Sequence, residues 1–164
     1  MIVVNDKMQK DYRYELSAPE GQCFAADFRP ELTPKEMLKL GVFEGHYLTD
    51  CLREFPSDWF ENAKLSPQEP CVSCNFFAIK SRMSLQEWQK RGWIIMPDPR
   101  GWFQWYCRYY LGRRIDEIDR VQIKRWKAFN RHKIQVLRNC ALYDLDCRKK
   151  QRQALLQWAY DPFF

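Results

Sequence analysis

Basic and aromatic side chains alternate between residues 98 and 138, a combination suited to contact with nucleic acid. Guanidinium groups bind phosphates in bidentate fashion, and both guanidinium groups and aromatic rings stack on bases. We therefore predict a nucleic-acid-binding surface, with DNA and RNA both open as ligands. Its nine candidate residues are Arg100, Trp105, Arg108, Arg113, Arg114, Lys124, Lys127, Arg131 and His132.

The distribution of charge along the chain favours the same function. The net charge is +6, and the segment 100–152 holds 15 of the 27 basic residues but only 5 of the 21 acidic ones. One positive face on an otherwise acidic protein attracts polyanions. A solvated helix face explains the same pattern without any ligand, and the sequence leaves both explanations open.

Three residues near position 46 are candidates for acid–base chemistry. His46 precedes Asp50 by four residues, a spacing that on a helix would place a base beside a carboxylate, and Glu44 is a further carboxylate nearby. Gly45 disfavours a helix at this point. A small enzyme that modifies a nucleobase or nucleotide is therefore the alternative function. The chain has no glycine-rich phosphate loop, GxSxG elbow or HExxH motif, which excludes the enzyme classes that those motifs define.

The cysteines suggest a weaker alternative, a zinc site. Cys71 and Cys74 have the spacing of a zinc half-site, and Cys140 and Cys147 are the other available pair. Six residues separate the second pair, however, instead of the usual two to four. Because of this spacing, we expect no cofactor. Seven cysteines without a dense disulfide framework favour reduced thiols in a reducing compartment, so we expect a cytoplasmic protein.

Membrane association and protein partners are judged from the hydropathy of the chain and from its terminal residues. No window approaches the ~18 uninterrupted apolar residues of a membrane-spanning helix, and the N-terminal residues do not read as a signal peptide. No membrane association is expected. Phe163 and Phe164 are available for insertion into a protein partner, so a structural subunit that docks on a larger assembly is a third possible function.

The elements that must position these residues are mainly helical. We expect one compact domain at 31–164, with about five helices and a basic C-terminal third, and an extended arm at 1–30 with a possible minor strand pair. Capping and stop signals predict helices from Thr33, from Ser84, from Asp98 with Pro99 at its first position, over 116–139 and near 147–160. A further strand is possible at 75–79.

The predicted helix that begins at Asp98 carries a stripe of five aromatic residues. Their spacing of three and four residues predicts one buried side, with Trp102, Tyr106 and Tyr109 in the core. Trp105 is assigned instead to an exposed position that stacks on a base.

One string in this region is distinctive. The string DPRGWFQWYCRYY at 98–110, followed by GRR at 112–114, resembles an uncharacterised family of small tryptophan-rich proteins. Pieces such as TPKEML at 33–38, GVFEG at 41–45 and QRQALL at 151–156 are also similar to it. The resemblance covers most of residues 28–161 and implies a single domain, with no activity to carry over.

Overall fold

The computed structural model describes all 164 residues and contains five α-helices and one small antiparallel sheet. This confirms the mainly helical fold with a minor strand pair. Four short 3-10 turns lie between the first and second helices. The elements are β1 (Ile2–Val4), β2 (Tyr12–Tyr14), α1 (Pro34–Leu40), α2 (Leu85–Lys90), α3 (Trp102–Leu111), α4 (Asp116–Asn139) and α5 (Lys149–Gln157).

Local capping explains where the first two helices begin. Thr33 and Glu36 form the predicted capping box of α1, with each side chain accepting a hydrogen bond from the other residue's backbone N–H. The hydroxyl of Ser84 accepts from the backbone N–H of Glu87 in α2 at 3.1 Å. The long helix α4 has the predicted bounds, and its first turn carries three acidic residues that complement the helix dipole.

The predicted start of the third helix, with Pro99 as its first residue, is wrong by three residues. Asp98 does not cap it, because its carboxylate is fully buried and binds two arginines instead. Helix α3 begins at Trp102, after Gly101, whose φ of 101° is accessible mainly to glycine. The possible strand at 75–79 is also absent, and Ala78 there has a left-handed φ of 52°.

Helix α3 lies at the centre of the core, and nine of its ten residues are buried. The N-terminal arm packs on it: the ring of Phe28 lies 5.4 Å from that of Trp105 and 5.1 Å from that of Trp126. At the end of α3, a Cβ on Gly112 would lie 2.0 Å from the carbonyl oxygen of Ala18. Only glycine therefore allows the arm to pass this closely.

The last two residues pack on their own chain. The Phe163 ring lies 4.9 Å from that of Phe76, and the Arg152 guanidinium lies 5.1 Å from the centre of the Phe164 ring. Arg152 also donates a hydrogen bond to the carbonyl of Phe164 at 2.9 Å. Both rings thus contact their own domain but are only partly buried, and their docking on a protein partner stays a prediction. No helix has the length and apolar character needed to cross a membrane.

Candidate binding site

Two of the predicted phosphate-binding arginines are buried in ion pairs. Arg108 is fully buried, with its Nε 2.6 Å from Glu54 and one Nη 2.9 Å from Asp98. Arg113 binds the other oxygen of Asp98 at 2.6 Å. Burial alone would lower the pKa of Arg108, but hydrogen bonds and charge from Glu54 and Asp98 outweigh it and raise that pKa. The prediction that these two arginines are exposed is therefore wrong.

Arg100 extends the same buried cluster. Its guanidinium binds Asp50 at 2.7 Å and lies 3.3 Å from Asp6. We call these residues the carboxylate network: Arg100, Arg108 and Arg113 with Asp6, Asp50, Glu54 and Asp98. Because every arginine in the network has a carboxylate partner and less than a tenth of its side chain exposed, none can act as a surface phosphate contact.

Trp105 is also not at the surface. Its side chain is fully buried, and its indole N–H donates to the carboxylate of Asp119 at 2.8 Å. Burial raises the pKa of Asp119, although the hydrogen bonds from Trp105 and from the backbone of Ile115 oppose that shift. Trp105 thus belongs to the core with Trp102, Tyr106 and Tyr109, which are buried as predicted.

A pocket of about 420 Å³ opens beside this core, between α2, α3, α4 and α5. Its volume lies within the range of about 300–1,000 Å³ that is usual for small-molecule sites. Trp158 forms one wall by stacking between Trp102 and Phe129, with ring centres 4.6 and 4.7 Å away. The walls also include Trp88 and Trp93. No aspartate or glutamate lines this space, which we call the aromatic pocket.

One of the basic groups in the aromatic pocket has no carboxylate partner. Arg125 donates to the carbonyl of Trp93 and to the side-chain oxygen of Gln122, both at 2.9 Å, and its guanidinium lies 5.6 Å from the centre of the Trp158 ring. It forms no ion pair, and burial lowers its pKa. Desolvation of a cation without an opposing charge costs free energy, and an anionic ligand would offset that cost.

Arg82 is a second basic group of this pocket with a poor partner. Its nearest carboxylate oxygen, on Glu44, is 3.8 Å away, and its buried Nε makes no hydrogen bond. Glu44 is itself buried, and one of its oxygens also lacks a partner. Phe43 and Glu44 both have left-handed φ angles, of 51° and 58°, a strain that tends to occur at functional sites.

Arg131 and His132 complete the basic side of the aromatic pocket. Arg131 is exposed and forms no ion pair or hydrogen bond, whereas His132 is half-buried against the ring of Phe129 at 4.4 Å. The side-chain nitrogen of Gln151 lies 3.2 Å from Nδ1 of His132. Burial, and to a lesser degree the charge of Arg131, lower the pKa of His132, which favours the neutral imidazole.

Arg131 also belongs to a row of basic residues along α4. Spacings of three, four and seven residues place these side chains on one side of the helix, where all are exposed. Lys127 is the one member that forms an ion pair, with Asp27 at 2.8 Å. We call this set the cationic row; it consists of Arg120, Lys124, Lys127, Arg131 and Arg138.

Arg114 is not part of this row. It donates to the backbone carbonyls of Tyr109, Gln22 and Cys23, and its guanidinium lies 3.7 Å from the centre of the Tyr109 ring. Arg114 therefore fastens the N-terminal arm to α3. Of the nine predicted nucleic-acid contacts, the structure brings Arg131 and His132 together in the aromatic pocket and leaves Lys124 and Lys127 exposed beside them.

A smaller pocket of about 270 Å³ shares Tyr47, Arg82 and Trp88 with the aromatic pocket and contains His46 and Asp50. The predicted pairing of those two residues is wrong. The segment does not form an α-helix, and both oxygens of Asp50 bind Arg100, at 2.7 and 3.2 Å. His46 Nδ1 donates to the carbonyl of Ser66 at 2.9 Å, so Nε2 carries the free lone pair.

The cysteine assignment also needs correction. Cys140 and Cys147 form a disulfide, which removes them as zinc thiolates and differs from the expected reduced state. Cys71 and Cys74 are free. No group of three or more histidine, cysteine or acidic side chains is arranged to hold a metal ion.

The nine predicted site residues do not include the two arginines of the pocket that lack a close carboxylate, Arg82 and Arg125. A signal existed for Arg125, because it precedes Phe129 by four residues and His132 by seven and therefore shares their side of α4. Arg82 lies in a loop, where spacing carries no such information.

Comparison with protein families, curated proteins and solved structures finds no match to this chain.

Proposed function

We propose that this protein binds single-stranded nucleic acid by taking one unpaired base into the aromatic pocket. The observation that carries the proposal is the half-buried Arg125, which has no carboxylate partner and lies beside stacked aromatic rings in a pocket without acidic residues. The ligand that suits this site has a flat aromatic part and a negative charge. A nucleotide has both.

The energetics of each part favour such a ligand. Stacking of a base on aromatic side chains contributes about 1–3 kcal/mol, whatever the identity of the base. Arginine forms strong, charge-assisted hydrogen bonds with phosphate oxygens. The guanidinium of Arg125 is held in place by its hydrogen bonds to the backbone carbonyl of Trp93 and to the side-chain oxygen of Gln122. Less side-chain entropy is therefore lost when a phosphate binds.

The cationic row extends this site beyond a single nucleotide. Arg131 belongs both to the lining of the aromatic pocket and to the row. The distance from Arg120 to Arg138 along α4 is about 27 Å, at 1.5 Å per residue. Phosphates that flank the inserted base would lie along this row, whereas a paired base inside a duplex could not enter the pocket without leaving its stack.

The test is fluorescence anisotropy with single-stranded DNA, single-stranded RNA, duplex DNA and a free mononucleotide, each over a range of salt concentrations. We expect the single strands to bind more tightly than the duplex, and affinity to fall steeply with salt. The double variant Lys124→Ala, Arg131→Ala should flatten the salt dependence, whereas Lys10→Ala, an exposed cation of the arm, should not. Equal affinity for duplex and single strand would contradict base insertion.

A second candidate function is hydrolytic modification of the bound nucleotide. It is favoured by the adjoining smaller pocket, where the free Nε2 of His46 can accept a proton from water. Water is the only co-reactant that such a reaction needs. Mass spectrometry of oligonucleotides after incubation tests this: a mass change that His46→Gln abolishes would support catalysis, and unchanged masses would contradict it.

A further inference from the structure

Cys71 and Cys74 form a pair of free thiols on one tight turn. Val72–Cys74 is a 3-10 turn, and the backbone N–H of Cys74 donates to the carbonyl of Cys71 at 3.0 Å. In a turn of this kind the first and fourth Cα atoms lie within about 7 Å. Disulfides commonly join Cα atoms that are about 4.4–6.8 Å apart. The turn therefore holds the two thiols at a separation from which they can join.

The two thiols differ in their surroundings. Cys71 is partly exposed, and its sulfur lies 2.9 Å from the hydroxyl of Ser73, a hydrogen bond that lowers the pKa of Cys71. Cys74 packs closely against Gly45: a Cβ added to Gly45 would lie only 3.2 Å from the Cβ of Cys74. Burial and the neighbouring Cys71 raise the pKa of Cys74. An accessible thiol thus lies beside a more shielded one.

We propose that Cys71 and Cys74 act as a redox-active dithiol that reduces the disulfide of an external substrate. The thiolate of Cys71 attacks one substrate sulfur and forms a mixed disulfide, while the other substrate sulfur leaves as a thiolate and takes up a proton. Cys74 then loses its proton and attacks the Cys71 sulfur, which releases the second substrate thiol. Two protein thiols are oxidised to one disulfide, and one substrate disulfide is reduced to two thiols.

Each of the remaining free cysteines lacks either an exposed sulfur or a second cysteine close to it. Cys51 and Cys107 are buried, and burial raises the pKa of Cys51 to about 12. Cys23 is exposed but has no second cysteine nearby in the sequence. The turn of Cys71 and Cys74 alone combines exposure with a resolving thiol. This inference is independent of the proposed nucleic-acid site.

The experiment uses the full chain, equilibrated with mixtures of reduced and oxidised glutathione and then alkylated and mapped by peptide mass spectrometry. We expect a reversible Cys71–Cys74 disulfide. In Cys74→Ser, the mixed disulfide with glutathione should accumulate on Cys71, because no thiol remains to resolve it. In Cys71→Ser, both the internal disulfide and rapid glutathione adduct formation should be lost, and Cys23→Ser should behave as the unaltered protein.

Two results would overturn the proposal. The first is a Cys74→Ser protein in which glutathione attaches to Cys23 as readily as to Cys71. The second is an alkylation rate of Cys71 whose pH midpoint equals that of an ordinary thiol, near pH 8.5, and is unchanged in Ser73→Ala. The Ser73→Ala variant keeps both thiols and therefore separates activation of Cys71 from simple exposure. The Cys140–Cys147 disulfide lies on a different peptide, so its reduction or re-formation is distinguished from that of Cys71 and Cys74 in the mass spectrum.

Discussion

The arginines of the carboxylate network and those of the aromatic pocket differ in what surrounds them. In the carboxylate network, Arg108 and Arg113 share Asp98, with nitrogen–oxygen distances between 2.6 and 2.9 Å. In the aromatic pocket, Arg125 has carbonyl partners only, and the nearest carboxylate to Arg82 is 3.8 Å away. Each guanidinium of the first group has a carboxylate oxygen within 2.7 Å, whereas no guanidinium of the second has one closer than 3.8 Å.

This difference separates structural arginines from arginines that are suited to a ligand. Charge from its carboxylate partners raises the pKa of Arg108 in spite of its burial, while burial lowers the pKa of Arg125. Removal of one partner of a buried ion pair is strongly destabilising, because it leaves the other charge buried and unpaired. For a desolvated cation without a carboxylate partner, any anion that enters the pocket instead offsets the free-energy cost of desolvation. The two groups should therefore respond in opposite ways to mutation.

The largest effect is expected from removing the shared carboxylate of the network. Asp98→Ala leaves Arg108 and Arg113 buried with unpaired charge, and removal of one partner of a buried ion pair costs about 3–5 kcal/mol. Chemical denaturation should show this loss in the free energy of unfolding. Asp58→Ala, which breaks the exposed pair with Lys35, serves as the control and should leave unfolding nearly unchanged. An equal free energy of unfolding for Asp98→Ala and Asp58→Ala would show that the carboxylate network is not needed for stability.

The next effect concerns binding. Arg125→Met keeps the packing of the side-chain stem but removes the guanidinium, and hydrogen bonds to charged groups contribute about 1.5–3 kcal/mol. We expect affinity for a single-stranded oligonucleotide to fall about 10- to 100-fold in titration calorimetry, while the free energy of unfolding stays the same or increases. Arg138→Met, at the far end of the cationic row, should have a much smaller effect. Unfolding of Arg125→Met would instead make Arg125 a structural residue.

The smallest predicted effect is a pH dependence within the pocket. Because the pKa of His132 lies below its usual 6.5, an anionic ligand should raise it and draw a proton into the pocket. Affinity should therefore increase as the pH falls from about 8 to about 5.5, by less than about tenfold, which corresponds to one pKa unit. His132→Gln should remove this increase. An unchanged pH profile in that variant would exclude His132 from the ligand site.

Without ligand, the same histidine should act in the opposite direction on stability. The unfolded chain binds the proton more readily than the folded protein, so the free energy of unfolding should decrease as the pH falls through about 6.5. Thermal unfolding of His132→Gln should show a weaker decrease over this range. An equal decrease in the unaltered protein and in His132→Gln would show that other titratable groups cause this pH dependence.

Much of the fold follows from local signals in the sequence. Capping residues at Thr33 and Ser84 and the acidic first turn of α4 mark helix starts that the structure contains. The start of α3 was not predictable in this way. Asp98 and Pro99 have the residue types of a helix start, but the carboxylate of Asp98 is held by Arg108 and Arg113, ten and fifteen residues away.

The site was less accessible to sequence reasoning than the fold. Whether an arginine is structural depends on carboxylates that are distant in the chain: Glu54 is separated from Arg108 by 54 residues and Asp50 from Arg100 by 50. On α4, Arg131 and His132 do line a pocket together with aromatic residues, and that they contact nucleic acid stays a prediction. It failed for α3, because that helix is buried on nearly every side.

The seven tryptophans allow the most direct test of the proposed site. Trp88, Trp93, Trp102 and Trp158 line the aromatic pocket, whereas Trp59, Trp105 and Trp126 are buried elsewhere in the core. Indole N–H signals in a nitrogen–proton NMR spectrum can be followed during titration with a short single-stranded oligonucleotide. We predict that the four pocket signals shift and that the three core signals do not. Oligonucleotide binding that leaves the pocket signals in place would contradict base insertion into the aromatic pocket.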